Sequence, residues 1–194
     1  GYSAFRADIT EKCTEEFNTI AIWCSNEKCD AIYPQSADFT FYGGLYRGAH
    51  LICVPETHFE LLHYGDLGIH AATEPASWDK EDFMLHIRTK ICGVEKDNQV
   101  IYQIFDEDGK EVASAARPAD SPDTSIPLYK PHRWDIKNSY QYTLKALIMR
   151  NNECLDEVEL KFGVRTFCCD PGRGFLINGN CVPLRGVSRH QDKL

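Results

Sequence analysis

Between residues 56 and 168 the chain alternates between apolar and polar side chains again and again. Each run is cut off by a turn signal after roughly ten residues. Phe83-Met84-Leu85-His86-Ile87-Arg88-Thr89-Lys90-Ile91 keeps this alternation over most of its length. A period of two puts all the apolar side chains on one face of an extended chain, whereas a helix needs a period near 3.6. Val100 to Phe105 and Glu111 to Ala115 flank Asp106-Glu107-Asp108-Gly109-Lys110, a hairpin turn with glycine at the left-handed position. Tyr140 to Ile148 and Val158 to Val164 flank a second loop at Asn151-Asn152-Glu153. His58 to Leu62 and Gly68 to Thr73 supply further runs, separated by a turn at Asp66 to Gly68. No stretch sustains a capped helical period. The chain therefore reads as all-β, and residues 56–168 as an immunoglobulin-like sandwich of about seven strands. Arg117 to Pro131, rich in Pro, Ser and Asp, reads as one long exposed loop. Thr19 to Cys24 and Ala49 to Val54 read as two more strands upstream.

The rest of the composition narrows the function classes. The 194 residues carry a net charge of -8, the wrong sign for a nucleic-acid surface and no lure for an anionic membrane. No apolar run approaches the roughly 20 residues of a spanning helix. Nothing at Gly1 resembles a signal peptide. Nine cysteines is an odd count, and Cys168-Cys169 is awkward geometry for a bridge. Most sit inside apolar runs such as Ile22-Trp23-Cys24 and Leu51-Ile52-Cys53-Val54, where Cys behaves as a small buried hydrophobe. They are expected to be reduced thiols of a cytoplasmic protein. No Cys-x2-Cys pair exists, and His58, His63 and His70 share a neighbourhood without a ligand spacing, so no metal and no cofactor is expected.

The chain ends in a short hairpin and a polar block. Phe175 to Ile177 and Val182 to Leu184 are apolar runs around Asn178-Gly179-Asn180, and the second leads into Arg185-Gly186-Val187-Ser188-Arg189-His190. This block resembles the passage by which family 2 glycoside hydrolases enter their catalytic barrel, a Leu-Asn-Gly-Lys hairpin followed by Arg-Gly-Val-Asn-Arg-His. Ile32 to Arg47, with Asp38 ahead of Phe39-Thr40-Phe41-Tyr42-Gly43-Gly44-Leu45-Tyr46-Arg47, looks like the segment closing that family's sugar-binding domain. Gly1 to Phe5 and Asp8-Ile9-Thr10 are similar to the passage before it. Trp134, Tyr140 and Tyr142 fall where the family has a Trp, a spacer and a strand start. The blocks keep the family's order from end to end. Two positions depart from the pattern: Gly48 stands where an Asp is usual, and Ser188 where an Asn is.

The resemblance implies three parts. Residues 1–55 would be the C-terminal part of a jelly-roll sugar-binding domain, 56–168 the sandwich, and 169–194 the lead-in hairpin and first strand of a (β/α)8 barrel. It also implies retaining hydrolysis of terminal β-linked sugars, with β-galactosides favoured by the wording around Asp38. Both catalytic glutamates would lie beyond Leu194, so no catalytic residue is expected here and the segment alone should be inactive. Asp38 would hold a sugar hydroxyl, since a carboxylate accepts charge-assisted hydrogen bonds. His190 would contact ring hydroxyls as both donor and acceptor. Arg185 and Arg189 would chiefly anchor the barrel entrance, with substrate contact secondary. The partner is a carbohydrate, with neither nucleic acid nor membrane expected. Apolar edges left by a half jelly roll would favour self-association into a homo-oligomer. Trp134, Tyr140 and Tyr142 read as sandwich core and corner residues rather than a sugar platform. The alternative reading is a non-catalytic carbohydrate-binding or structural sandwich module.

Overall fold

Seven strands build two facing antiparallel sheets, because the alternating runs each bury one face. A computed structural model describes residues 4–27, 29, 43–45, 47–63, 65–76 and 81–188. The chain divides into two compact units, Val54–Leu184 and a unit combining Gly1–Cys53 with Arg185–Leu194. In the former, the three-stranded sheet runs in the order β2 (Ile69–Pro75), β3 (Phe83–Thr89), β7 (Thr124–Leu128). The four-stranded sheet runs in the order β6 (Glu111–Pro118), β5 (Gln99–Phe105), β8 (Tyr142–Arg150), β9 (Glu153–Phe162). A short ribbon pairs β1 (His58–Phe59) with β4 (Ile91–Cys92). The three-plus-four arrangement, with successive strands crossing between sheets, is an immunoglobulin-like sandwich.

The core is the sum of the inward positions. Phe83, Leu85 and Ile87 of β3 meet Val100, Tyr102 and Ile104 of β5, and Tyr142, Leu144, Ala146 and Ile148 of β8. Each fully buried aliphatic side chain contributes about 1.5–3 kcal/mol. Two polar groups inside are matched: Tyr102 and Thr89 share a hydroxyl–hydroxyl bond of 2.7 Å, and the Tyr102 hydroxyl lies 2.9 Å from the Pro122 carbonyl to which it donates. Burial pushes the Tyr102 phenol up to about 12, with the nearby Asp123 charge acting the same way against the Thr89 bond.

The turns are the expected ones. Asp106 Oδ1 accepts from the amides of Asp108 and Lys110, and Gly109 has φ 78°. Asn151 and Asn152 both take positive φ, at 49° and 67°, and close β8 onto β9. At Gly93 the backbone passes so close to Glu56 that an added Cβ would lie 2.2 Å from its carbonyl oxygen.

The stretch expected as one loop, Arg117 to Pro131, contains β7 instead. Thr124, Ile126 and Leu128 are buried, and β7 pairs with β3 along its whole length. Pro127 is tolerated because β7 is an edge strand and Pro127 points outward.

The cysteines also differ from expectation. All nine are free thiols, but eight are exposed and only Cys92 is partly buried. An apolar neighbourhood in sequence does not bury a residue whose stretch pairs with no strand, as at Cys24 and Cys53, or whose strand presents that face to solvent, as at Cys168 and Cys169. Cys168 and Cys169 sit in β10 (Phe167–Asp170), a ribbon strand with most side chains exposed.

In the other unit, the described residues form one 3-10 turn, Thr10–Lys12, and no strand. The Asn18 side chain closes a local loop by accepting from Thr14 N and donating to Thr14 O. The runs at 19–24 and 49–54 were expected as strands, but they carry no ladder. A period-two run becomes a strand only when a neighbour takes up its backbone donors and acceptors. Trp23 is 93% exposed as a result.

Candidate functional site

A three-stranded ribbon follows the sandwich in the same unit. Strand β10 pairs with β11 (Gly174–Ile177), which pairs with β12 (Asn180–Cys181). Asn178 and Gly179 have φ of 50° and 79°, so the turn has two central residues with left-handed backbone. Ile177 pairs with Asn180 and Leu176 with Cys181. Leu176 and Ile177 are buried, so this ribbon has a seat on the domain.

Asn178 ties the turn down. Its side-chain amide donates to the Trp134 carbonyl at 3.0 Å, and its side-chain oxygen accepts from Thr166 N at 3.0 Å. Trp134 N in turn donates to Val164 O at 2.9 Å. Gly163 lets the indole approach, since a Cβ there would meet Trp134 Cβ at 2.8 Å. The Arg165 guanidinium lies 4.6 Å over the indole ring. With Arg165 on its face, Trp134 serves packing and not sugar stacking, as its sequence position implies. Tyr142 is likewise a corner residue: its hydroxyl accepts from His132 N at 2.9 Å, and its ring stacks on Phe162 at 5.7 Å.

Just beyond β12, Val182 N donates to the Phe175 carbonyl of β11 at 2.8 Å. Residues 182–188 form no strand, and Arg185, Gly186, Val187 and Ser188 are exposed. A first barrel strand was expected here, but apart from that Val182 bond no ladder continues through the described residues up to 188. Of the four residues proposed to meet substrate, Arg185 is described, with its side chain in solvent. Asp38, Arg189 and His190 lie outside the described residues, as do Phe39, Phe41, Tyr42 and Tyr46.

A second cluster differs from the sequence-based expectation, which groups His63 and His70 with His58, finds no ligand spacing and leaves out Asp66. His63, Asp66 and His70 bring their ligand atoms within 4.8 Å of one another. The hydrogen bond from His63, followed by that from Gly68 N, holds the Asp66 carboxyl below the usual carboxylate range. His58 is not part of it, because its Nδ1 faces the carbonyls of Pro55 and Glu56. The signal lay in Asp66, placed between the two histidines by Gly65 and Gly68, both with positive φ. Nearby, the Cys92 thiol donates to Glu60 Oε2 at 3.1 Å. Burial, and then the Glu60 carboxylate, push that thiol up to about 11.

Comparison with known proteins places these features. The family model described as Glycosyl hydrolases family 2 matches residues 73–165, from within β2 to just past β9. A β-glucuronidase of Bacteroides fragilis is 29% identical over 100% of this chain and 29% of its own length. A β-galactosidase of Bacteroides ovatus is 29% identical over 99% of the chain and 22% of its own length. The crystal structure of an FMN-binding β-glucuronidase from Faecalibacterium prausnitzii superposes with a TM-score of 0.81 at 46% identity. It covers 87% of this chain and 26% of that one. The chain thus spans less than a third of the length of these relatives.

Proposed function

This chain belongs to glycosyl hydrolase family 2, and on that premise we propose that it is the domain-linking, substrate-presenting segment of a retaining β-glycosidase. The observation that carries the reading is the Asn178 anchor. A hairpin fastened to the sandwich at Trp134 leads directly into Arg185-Gly186-Val187-Ser188-Arg189-His190. A freestanding binding module has no use for a polar block hung from a braced turn. Retaining hydrolysis takes two carboxyl groups about 5–5.5 Å apart; in this reading both are supplied from outside the 194 residues. Asp38 and His190 then accept and donate hydrogen bonds to sugar hydroxyls. Residues 1–55 are the closing part of a jelly roll, and 169–194 the entry hairpin and first strand of the barrel. Those neighbouring domains would cover Phe17, Ile20, Ile22 and Trp23, which are exposed here.

For the substrate we favour a β-glucuronide. The 46%-identical structure and the Bacteroides fragilis relative are both named β-glucuronidases. A uronate adds a carboxylate, for which Arg185 and Arg189 are natural partners. A β-galactoside is the second reading, supported by the Bacteroides ovatus relative at equal identity. The nine free thiols, eight of them exposed, suit a reducing cytoplasmic compartment. Among the described residues no helix is long and apolar enough to cross a membrane.

The test is hydrolysis of 4-nitrophenyl β-D-glucuronide and β-D-galactoside by the full-length protein containing this segment. We expect turnover of the glucuronide, none by the 194 residues alone, and a loss in kcat/KM on the order of 100-fold for Asp38→Ala or His190→Ala. Failure to cleave any 4-nitrophenyl β-glycoside overturns the reading; full activity in both variants removes their assigned roles.

A further inference from the structure

We propose that His63, Asp66 and His70 form a binding site for a divalent transition-metal ion, with zinc the best fit. Asp66 Oδ2 lies 2.7 Å from His63 Nδ1 and 3.0 Å from His70 Nε2. The two rings meet edge to face, with centroids 5.8 Å apart. Both imidazoles thus aim a nitrogen at one carboxylate oxygen, the convergence that a single ion requires. Among the described residues no other cluster of three or more His, Cys, Asp or Glu side chains converges in this way.

The donor set decides the class of ion. Two imidazoles and one carboxylate suit Zn, Co, Ni or Cu, and are too rich in nitrogen for Ca or Mg. Three protein ligands leave a fourth tetrahedral position for water. The other carboxylate oxygen, Asp66 Oδ1, is already taken by Gly68 N at 2.8 Å, which orients Oδ2 toward the rings. Without metal, His63 Nδ1 hydrogen-bonds Oδ2 and His70 Nε2 lies within ion-pair distance of it. On zinc binding the coordinating ring nitrogens would carry no proton, any proton there moving to the opposite ring nitrogen or to solvent, and the ligand atoms would spread to about 3.3 Å, the separation set by tetrahedral bonds near 2.0 Å.

The turn that holds the three residues is fixed by its backbone. Gly68 N–H bonds Asp66, while its carbonyl accepts from Lys90 N at 2.8 Å. A Cβ on Gly68 would lie 2.7 Å from the Glu60 carbonyl oxygen, so glycine is required at φ 69°. The ligands are therefore pre-placed, and little ordering entropy opposes binding. Their side chains are 29%, 25% and 49% exposed for His63, Asp66 and His70, which leaves the ion a path from solvent. The bound ion would clamp the His63–Asp66 turn to the first residues of β2. This inference is independent of the glycosidase reading, since the site lies on the sandwich and needs no substrate.

The experiment uses the 194-residue chain with zinc chloride or cobalt chloride alone, at neutral pH. Zinc is counted by equilibrium dialysis and cobalt by its visible spectrum, because the free thiols also bind these ions. The parent should hold one more equivalent than His70→Ala, and the parent-minus-variant difference spectrum should show tetrahedral cobalt bands without sulfur-to-cobalt charge transfer. His70 is half exposed, so the variant should melt like the parent in metal-free buffer. Added zinc should raise only the parent's melting temperature. Asp66→Asn should weaken binding at least tenfold, and His58→Ala should leave it unchanged. Equal zinc content in the parent and His70→Ala, or a cobalt difference spectrum showing only thiolate ligation, overturns the proposal.

Discussion

Asn178 donates its side-chain amide to the carbonyl of Trp134, 44 residues earlier, and accepts from Thr166 N with its side-chain oxygen. One turn residue thereby joins the terminal ribbon to the loop that leads into β8. Asn suits the place twice over: it tolerates φ of 50° and offers both a donor and an acceptor.

Asn178→Ala should therefore destabilise the Val54–Leu184 unit by about 1–3 kcal/mol, through two lost hydrogen bonds and a left-handed alanine. Asn178→Gly restores the backbone freedom and should cost less. Urea unfolding of the three proteins gives the order. Hydrogen exchange at Thr166 N should accelerate in both variants, and unchanged exchange there would show that the anchor is not formed in solution.

Three glycines should respond to alanine in a graded way. At Gly93 the new Cβ would lie 2.2 Å from a backbone oxygen, and at Gly163 2.8 Å from Trp134 Cβ. At Gly109 nothing lies within 4 Å, although φ is 78°. Gly109→Ala should cost about 1–2 kcal/mol for its backbone alone. Gly93→Ala and Gly163→Ala should each cost more than that, because packed atoms must move. Thermal melts of the three variants would refute the geometry if Gly109→Ala proved the most harmful.

Cysteine labelling should rank the thiols by environment. Cys92 is partly buried, donates to Glu60, and has its thiol raised to about 11. Its folded pKa lies above the unfolded value, so its contribution to stability is complete below about pH 9 and fades as pH rises from there through about 11. With iodoacetamide at pH 8 and mass-spectrometric readout, Cys92 should be the slowest of the nine. Cys13, Cys24 and Cys53 should label early. Glu60→Gln removes the charge and should speed Cys92 labelling.

Tyr102→Phe should destabilise by about 1–2 kcal/mol, since it leaves Thr89 and the Pro122 carbonyl without their buried partner. The pH sign follows from the raised phenol. The unfolded tyrosine ionises near 10 and the folded one at about 12, so its share of stability is whole below about pH 10 and is lost between 10 and about 12. In the parent, one tyrosinate absorbance step should coincide with alkaline unfolding, and that step should vanish in Tyr102→Phe.

Much of this fold was legible residue by residue. The alternation at Phe83 to Thr89, Val100 to Phe105 and Tyr142 to Ile148 states which faces are inside, because a strand's side-chain period is two whatever its partner. Asp106 to Gly109, Asn151-Asn152 and Asn178-Gly179 declare their turns, because positive φ is a property of a few residue types. Strand β7 was hidden: Pro127 argues against a strand, and only an edge position with an outward face reconciles it with pairing to β3. The terminal block and the segment around Asp38 carried the family resemblance in plain letters, but their key residues, His190 and Asp38, lie outside the described residues.

Local chemistry alone thus determined the all-β class, most strand faces and the turns, since each depends on residues a few positions apart. Tertiary structure decided the rest: the Asn178 anchor, the pairing of β7 and the exposure of the cysteines. Even the His63–Asp66–His70 cluster depends on Gly68 being pressed against Glu60 and Lys90. Such contacts exist only after distant strands have paired, and neither periodicity nor spacing encodes which backbones will meet.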